Sequence, residues 1–187
     1  MVLATQALVS GGIDIGTLTT YIPLFLSDFL KMNIYERGVV YTVGLLGGVV
    51  GPVLSGIYAD RAGYIRVSML AVGFASILTY LLIPYKLRGE GIMLALHLFA
   101  LMFVSFSLPT LLQSHLVRVT SGYSRDLAVR IFFTTGFIFN SLWSGIVGHI
   151  IDVYASFKPA FIMMRTLGLI AIAVLLSQFR RLPWRRT

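Results

Sequence analysis

Residues 39–63 read VVYTVGLLGGVVGPVLSGIYADRAG. No charge interrupts the stretch before Asp60, and the uncharged run has the length of a membrane-crossing helix, which takes about 20 apolar residues. It stops on Asp60-Arg61-Ala62-Gly63, a charged turn. It lacks the period-two alternation that a barrel strand needs. The same pattern recurs on both sides. Apolar segments run from about Leu3 to Asp28, Val39 to Tyr58, Val67 to Pro84, Ile92 to Ser114, Leu127 to Ile151 and Pro159 to Phe179. Between them lie Lys31 to Arg37, a loop with Lys86, Arg88 and Glu90, and a polar stretch from His115 to Asp126. A short basic tail, Arg180 to Thr187, follows the last segment. The pattern predicts an all-α integral membrane protein with six transmembrane helices, forming a single domain over residues 1–187.

Composition agrees. Of 187 residues, 57% are hydrophobic and 12% charged, whereas a soluble domain carries about a quarter charged residues. An ordinary soluble enzyme is excluded. The net charge of +8 would suggest nucleic acid in a soluble protein. Here it reads as the Lys and Arg excess of cytoplasmic loops, and no nucleic-acid partner is expected. The chain has no cysteine, which removes disulfides, thiolate metal ligands and a thiol nucleophile. No cofactor or metal is expected. The first segment is too long for a signal peptide and contains Asp14. Counting basic residues loop by loop gives nine on the side of the two termini and five on the other, with Arg165 inside the sixth segment. The excess predicts cytoplasmic termini, with the plasma membrane as the location.

Sliding the sequence by 92 residues lays Thr42, Gly44, Gly56 and Asp60 on Thr134, Gly136, Gly148 and Asp152. The same signal then falls on the second of three helices in each half. Three is odd, so two such units, about 1–88 and 89–187, have opposite orientations. That is an inverted repeat, a common plan of secondary transporters. Gly44, Gly48, Pro52 and Gly56 recur every four residues, as do Gly136, Asn140, Ser144 and Gly148; Gly47, Gly51 and Ser55 form a parallel stripe. Small residues at this spacing let helices approach closely in lipid.

Residues Gly56 to Arg66 read Gly-Ile-Tyr-Ala-Asp-Arg-Ala-Gly-Tyr-Ile-Arg. This resembles the loop signature of the major facilitator superfamily, Gly-x-x-x-Asp-(Arg/Lys)-x-Gly-(Arg/Lys)-(Arg/Lys). Gly56, Asp60, Arg61 and Gly63 match. Tyr64 and Ile65 stand where the basic pair would be, and Arg66 falls one residue later. Tyr21-Ile22-Pro23-Leu24-Phe25-Leu26, the Arg-rich loop before the fifth segment and Gly148-x-x-x-Asp152 extend the resemblance over essentially the whole chain. A full member has twelve spans, so the chain looks like one six-helix half. The fourth segment holds no arginine and no glycine, which looks more like the C-terminal half. The resemblance implies a secondary active transporter, or half of one, that moves a small solute by alternating access. Its implied partners are a small-molecule substrate, the lipid bilayer, and a second six-helix half or a second copy of the chain.

In the first segment Ser10, Asp14, Thr17, Tyr21 and Asp28 share one helical face. Asp14 lies about 17 Å from the start of the helix, near mid-membrane, where a carboxylate marks an ion, proton or substrate path. In the resembled family the first helix of each half lines the central cavity. Asp14 would bind a cationic group there or carry a coupling proton, with Thr17 and Tyr21 on the same wall. The fourth segment would line the cavity too, with Ser105 near the depth of Asp14. His97 sits nearer the outside, about 12 Å away along the helix, too far to pair with Asp14 but able to titrate near neutrality. Pro109 is expected to kink this segment. Asn140 and Trp143 are the weaker candidates of the fifth segment, Asn140 as an interhelical hydrogen-bonding group. Arg165 would snorkel to headgroups or pair with Asp152.

The loop residues Gly56, Asp60, Arg61, Gly63 and Arg66 form a candidate inner gate. Asp60 can pair with an arginine, with Arg125 or Arg130 as the expected partner, and Gly63 permits a positive φ. Such a network can latch one of two states. Two enzyme classes can also occupy a membrane-embedded helical fold. A membrane-embedded serine protease would need a Gly-x-Ser on a helix, but Gly122-Tyr123-Ser124 falls in a loop and the sixth segment has no histidine. A metal-dependent headgroup transferase would need clustered aspartates, whereas Asp60 and Asp152 fall on opposite faces of the membrane. No enzyme is expected. A non-transporting remnant or structural membrane partner is the alternative.

Overall fold

A computed structural model describes residues 2–10, 13, 15–85, 91–120, 122 and 124–179. Among them all regular structure is helical: α1 (Val2–Val9), α2 (Ile15–Leu24), α3 (Ile34–Ala62), α4 (Tyr64–Leu81), α5 (Gly91–Val119), α6 (Ser124–Tyr154) and α7 (Phe157–Phe179). Five of these, α3 to α7, are long and apolar enough to cross a membrane. The expected loop residues Lys86, Arg88 and Glu90 and the tail from Arg180 lie outside the described residues, as does Asp14.

The first segment departs from the expected single helix. α1 stops at Val9 and α2 begins at Ile15. The sequence places Gly11 and Gly12 between them, and glycine costs about 1 kcal/mol relative to alanine inside a helix. Ser10 still donates its backbone N–H to the Gln6 carbonyl at 2.9 Å, and Ile13 to Val9 at 3.2 Å. Beyond Pro23, α2 widens into a π-helical turn at Phe25–Phe29. There Phe25 stacks on Phe29 and meets Phe157 and Phe161 of α7 edge-on.

Other boundaries move outward from their expected places. α3 starts at Ile34 instead of after Arg37, because Asn33 and Glu36 form a reciprocal capping box. α5 runs unbroken through Pro109 to Val119, and α6 begins at Ser124. The polar stretch expected from His115 to Asp126 therefore shrinks to a few linking residues.

Glycines decide the tightest packing. α3 lies along α5 more extensively than along any other helix. A Cβ on Gly47 would collide with the Phe99 carbonyl oxygen, and one on Gly51 with the Phe103 carbonyl. Gly44 and Gly48 face Met102 and Phe106. The stripe ends before Gly56, where an added Cβ meets open space. Beside it, Ser55 donates to Ser107 at 2.8 Å, and Ser107 donates on to the Phe103 carbonyl.

Two apolar clusters stack along the bundle. One gathers Leu18, Ile22, Leu82, Leu98, Leu101, Met102 and Val147. The other gathers Ile13, Val72, Ala75, Leu108, Leu111 and Phe132. Along four of the segments, polar side chains lie between members of the two clusters. Thr17 lies between Ile13 and Leu18, Ser76 and Thr79 between Ala75 and Leu82, Ser105 between Met102 and Leu108, and Asn140 between Phe132 and Val147. These hydroxyls and one carboxamide make up a polar belt between the two clusters.

Candidate functional site

The belt is richest where the broken first segment meets α6. The fourfold stripe of α6 supplies the fit. Gly136 sits beside the Gln6 carboxamide, Asn140 lies across Gly16, and Gly148 faces the Tyr21 hydroxyl. Ser144 accepts a short hydrogen bond from Tyr21 Oη through its carbonyl oxygen. Trp143 Nε1 donates to the Ala7 carbonyl at 2.9 Å. Gly136 and Gly148 thus open room for Gln6 and Tyr21, while Gly16 of the first segment opens room for Asn140.

Within this seam the break has its own hydrogen bonds. Ser10 Oγ donates to the Gln6 carbonyl at 2.8 Å, and Gln6 Nε2 lies 3.4 Å from Ser10 Oγ. Thr17 Oγ1 reaches back seven residues to the Ser10 carbonyl at 3.0 Å and sits 3.4 Å from Asn140 Oδ1. Ser10 and Thr17 are fully buried. Thr17 thus ties the start of α2 back to the Ser10 carbonyl. A cavity of about 220 Å³ opens beside the seam between Gln6, Gly16, Pro109, Gly136 and Asn140, walled by Phe132, Phe133 and Phe137.

The structure therefore brings Thr17, Tyr21 and Asn140 together. It keeps His97 apart. His97 Nε2 donates to the Leu78 carbonyl at 2.9 Å, and its ring meets Tyr85 edge-on. Leu78 lies in the last turn of α4, where backbone N–H donors run out, so His97 caps a helix end. Ser105 is fully buried in the belt, and its hydroxyl has no partner among the described residues. Arg165 places its guanidinium 4.4 Å from the ring centre of Tyr80. It makes no ion pair with Asp152 among the described residues.

At one end of the bundle lies the candidate gate. Gly63 is the single residue joining α3 to α4, at φ +93°. That value favours glycine and folds Tyr64 back over the end of α3. Asp60 Oδ1 accepts from Arg118 Nη2 at 2.5 Å and from Tyr64 Oη at 2.8 Å. Arg118 also lies 4.6 Å above the Tyr64 ring. The partner of Asp60 is thus Arg118, at the end of α5, rather than Arg125 or Arg130. Arg125 Nε donates to the Thr120 carbonyl at 3.4 Å, and Arg130 is exposed on α6. Arg61 and Arg66 are exposed on either side of Gly63. Tyr64, which stands in place of the expected basic residue, closes the cluster instead.

At the other end, Tyr21, Asp28 and Asp152 line one cleft of about 400 Å³ between the first segment and α6. A larger cavity, about 650 Å³, lies between the starts of α3 and α5 and is mostly apolar, with Glu36 at its wall. No group of three or more metal-ligating side chains occurs among the described residues. No family model matches the chain, and no curated protein matches it either.

Proposed function

We propose that the chain is a six-helix unit of a secondary transporter that moves a small solute by alternating access. Its two triplets of spans would form an inverted repeat, with both termini in the cytoplasm of a plasma-membrane protein. A second six-helix half, or a second copy, would supply the opposite wall.

The observation that carries this reading is the polar belt between the two clusters with its adjoining cavity. Gln6 and Asn140 line that cavity beside the aromatic rings of α6, and Thr17 contacts Asn140 next to it; polar groups gathered at an opening in an apolar bundle suit a solute path. The break in the first segment points the same way, since discontinuous helices frame the substrate and ion sites of many transporters.

The neighbour relations support the repeat. α3 packs on α5 as α6 packs on the first segment, and α4 packs on α5 as α7 packs on α1. Exchanging the two triplets turns each pair into the other. α4 with α7 maps onto itself.

The Asp60–Arg118–Tyr64 cluster would act as the gate latch, joining the ends of α3 and α5 in one state. Asp14 would face the path from the first segment. The test is a solute screen on proteoliposomes, read as transient currents on a supported membrane. A solute-dependent current in the parent, lost in Asp14→Asn, supports the reading. No response to any solute class, with or without a companion half, would favour a non-transporting membrane partner.

A further inference from the structure

Charge is unevenly spread over the bundle. Among the described residues, the end that holds the Gly63 turn exposes Arg61, Arg66, Arg118, Arg125 and Arg130 against Asp60 and Asp126. At the opposite end Lys31, Arg37 and Lys158 balance Asp28, Glu36 and Asp152. Beside the turn, Asp60 is already engaged by Arg118 and Tyr64, and the first turn of α4 holds no acidic residue. Arg61 ends α3 and Arg66 opens α4, with the one-residue turn between them. Two positive charges therefore stand together at the depth of lipid headgroups.

Below each of these arginines runs an exposed apolar ridge. On α3, Ile57, Leu54, Val50 and Leu46 lead away from Arg61 at steps of three or four residues, each at least 40% exposed. On α4, Leu70, Phe74, Ile77 and Leu81 lead away from Arg66 in the same steps and are as exposed. Such spacing puts each set on one helical face. The α4 ridge reaches about 22 Å from Arg66, more than the roughly 15 Å of one apolar leaflet. Two guanidinium groups, each at the head of a long apolar strip, match a molecule with one anionic head and two hydrocarbon chains.

We propose that the α3–α4 hairpin binds an anionic glycerophospholipid, with its phosphate held by Arg61 and Arg66 and its acyl chains laid along the two ridges. The planar fork of an arginine matches the oxygens of a phosphate, which a lysine meets only as a point charge. A choline headgroup brings its own cation toward the arginines, so a net negative headgroup is selected. The inference rests on these helices crossing a bilayer, for which both are long and apolar enough, and not on transport.

The experiment equilibrates the purified full chain in detergent with phosphatidylglycerol, or with phosphatidylcholine of the same acyl chains, and counts bound lipid by native mass spectrometry. Retention of phosphatidylglycerol over phosphatidylcholine is expected, falling as salt rises. Arg61→Gln and Arg66→Gln should each weaken it about five-fold, while Lys158→Gln at the opposite end leaves it unchanged. Arg61→Lys keeps the charge without the planar fork and should retain part of the binding, which separates a lost contact from a lost fold. Equal retention of the two lipids overturns the inference. So does phosphatidylglycerol binding that neither Arg61→Gln nor Arg66→Gln changes, because the lipid then sits elsewhere. An equal loss in Lys158→Gln would reduce the effect to net charge and overturn it too. Displacement by an equal concentration of glycerophosphoglycerol, the headgroup without its chains, would leave a phosphate site and remove the lipid.

Discussion

Arg118 and Asp60 are 58 residues apart in sequence, yet Nη2 and Oδ1 meet at 2.5 Å. The contact fastens the end of α5 to the end of α3, on the two helices that pack most closely through glycines. Both side chains are more than half exposed, at 58% and 54%. Exposed pairs contribute roughly 0–1 kcal/mol, so this contact is weak enough to break and re-form without unfolding the bundle.

Arg118→Ala should therefore leave the melting temperature within a degree or two of the parent while altering the rate of solute uptake. Arg118→Lys should not restore that rate, because a lysine lacks the planar fork that both pairs with Asp60 and stacks on Tyr64. Thermal unfolding in detergent and uptake in proteoliposomes check the two halves of this statement. A large loss of stability with unchanged uptake would make the cluster a static staple.

The glycine seam gives a sharper stability prediction. Gly47→Ala and Gly51→Ala drive a methyl group into the carbonyls of Phe99 and Phe103. Backbone cannot swing aside as a side chain can, so each change should cost about 1–3 kcal/mol. Gly56→Ala, with open space around it, should be nearly neutral or slightly stabilising. Denaturant unfolding of the three variants side by side provides the measurement.

Gly63→Ala tests the turn rather than the packing. Nothing crowds a Cβ at this position, so the penalty comes from φ +93° alone. With ψ 133° the residue lies outside the left-handed helical well, so a cost of about 1–3 kcal/mol is expected, and the Tyr64–Asp60 hydrogen bond should loosen with it. Unfolding free energy together with tyrosine fluorescence reports both effects.

His97 offers a contrast with the seam. Its imidazole caps the Leu78 carbonyl and packs on Tyr85. His97→Ala leaves that acceptor unpaired and should cost about 1–3 kcal/mol. Solute uptake by His97→Gln, which keeps a donor, should retain the pH profile of the parent. A flattened profile would return His97 to the proton path.

Much of this was legible in the sequence, and the gaps have physical causes. The apolar segments show because lipid demands a continuous run, and the shared face of Thr17 and Tyr21 shows because helical spacing is regular. The stripe from Gly136 to Gly148 announces a close contact, although not that its partner is the first segment. The break at Ser10 was readable in the Gly11-Gly12 pair but was hidden by the apolar residues around it. The start of α3 was readable in Asn33 and Glu36, whose capping box outweighs the charges at Lys31 and Arg37. Arg118 could not be singled out. Choosing among Arg118, Arg125 and Arg130 depends on where α5 ends relative to α3, which is set by the depth of the Gly47–Phe99 and Gly51–Phe103 contacts. Tyr64 looked like a departure from a basic motif because its role needs the fold of the Gly63 turn.

If the proposed function holds, the cavity between Gln6, Gly16 and Asn140 opens alternately to the two sides of a membrane. The chain has no cysteine, so a single introduced thiol reports without background. Phe137→Cys and, separately, Ile15→Cys line that cavity and leave the Thr17–Asn140 contact in place. In vesicles of known orientation, each would be treated with a membrane-impermeant thiosulfonate from one side or the other. The account predicts labelling from both sides, with Arg118→Ala changing the ratio between them. Labelling confined to one side, unchanged by Arg118→Ala, would contradict it.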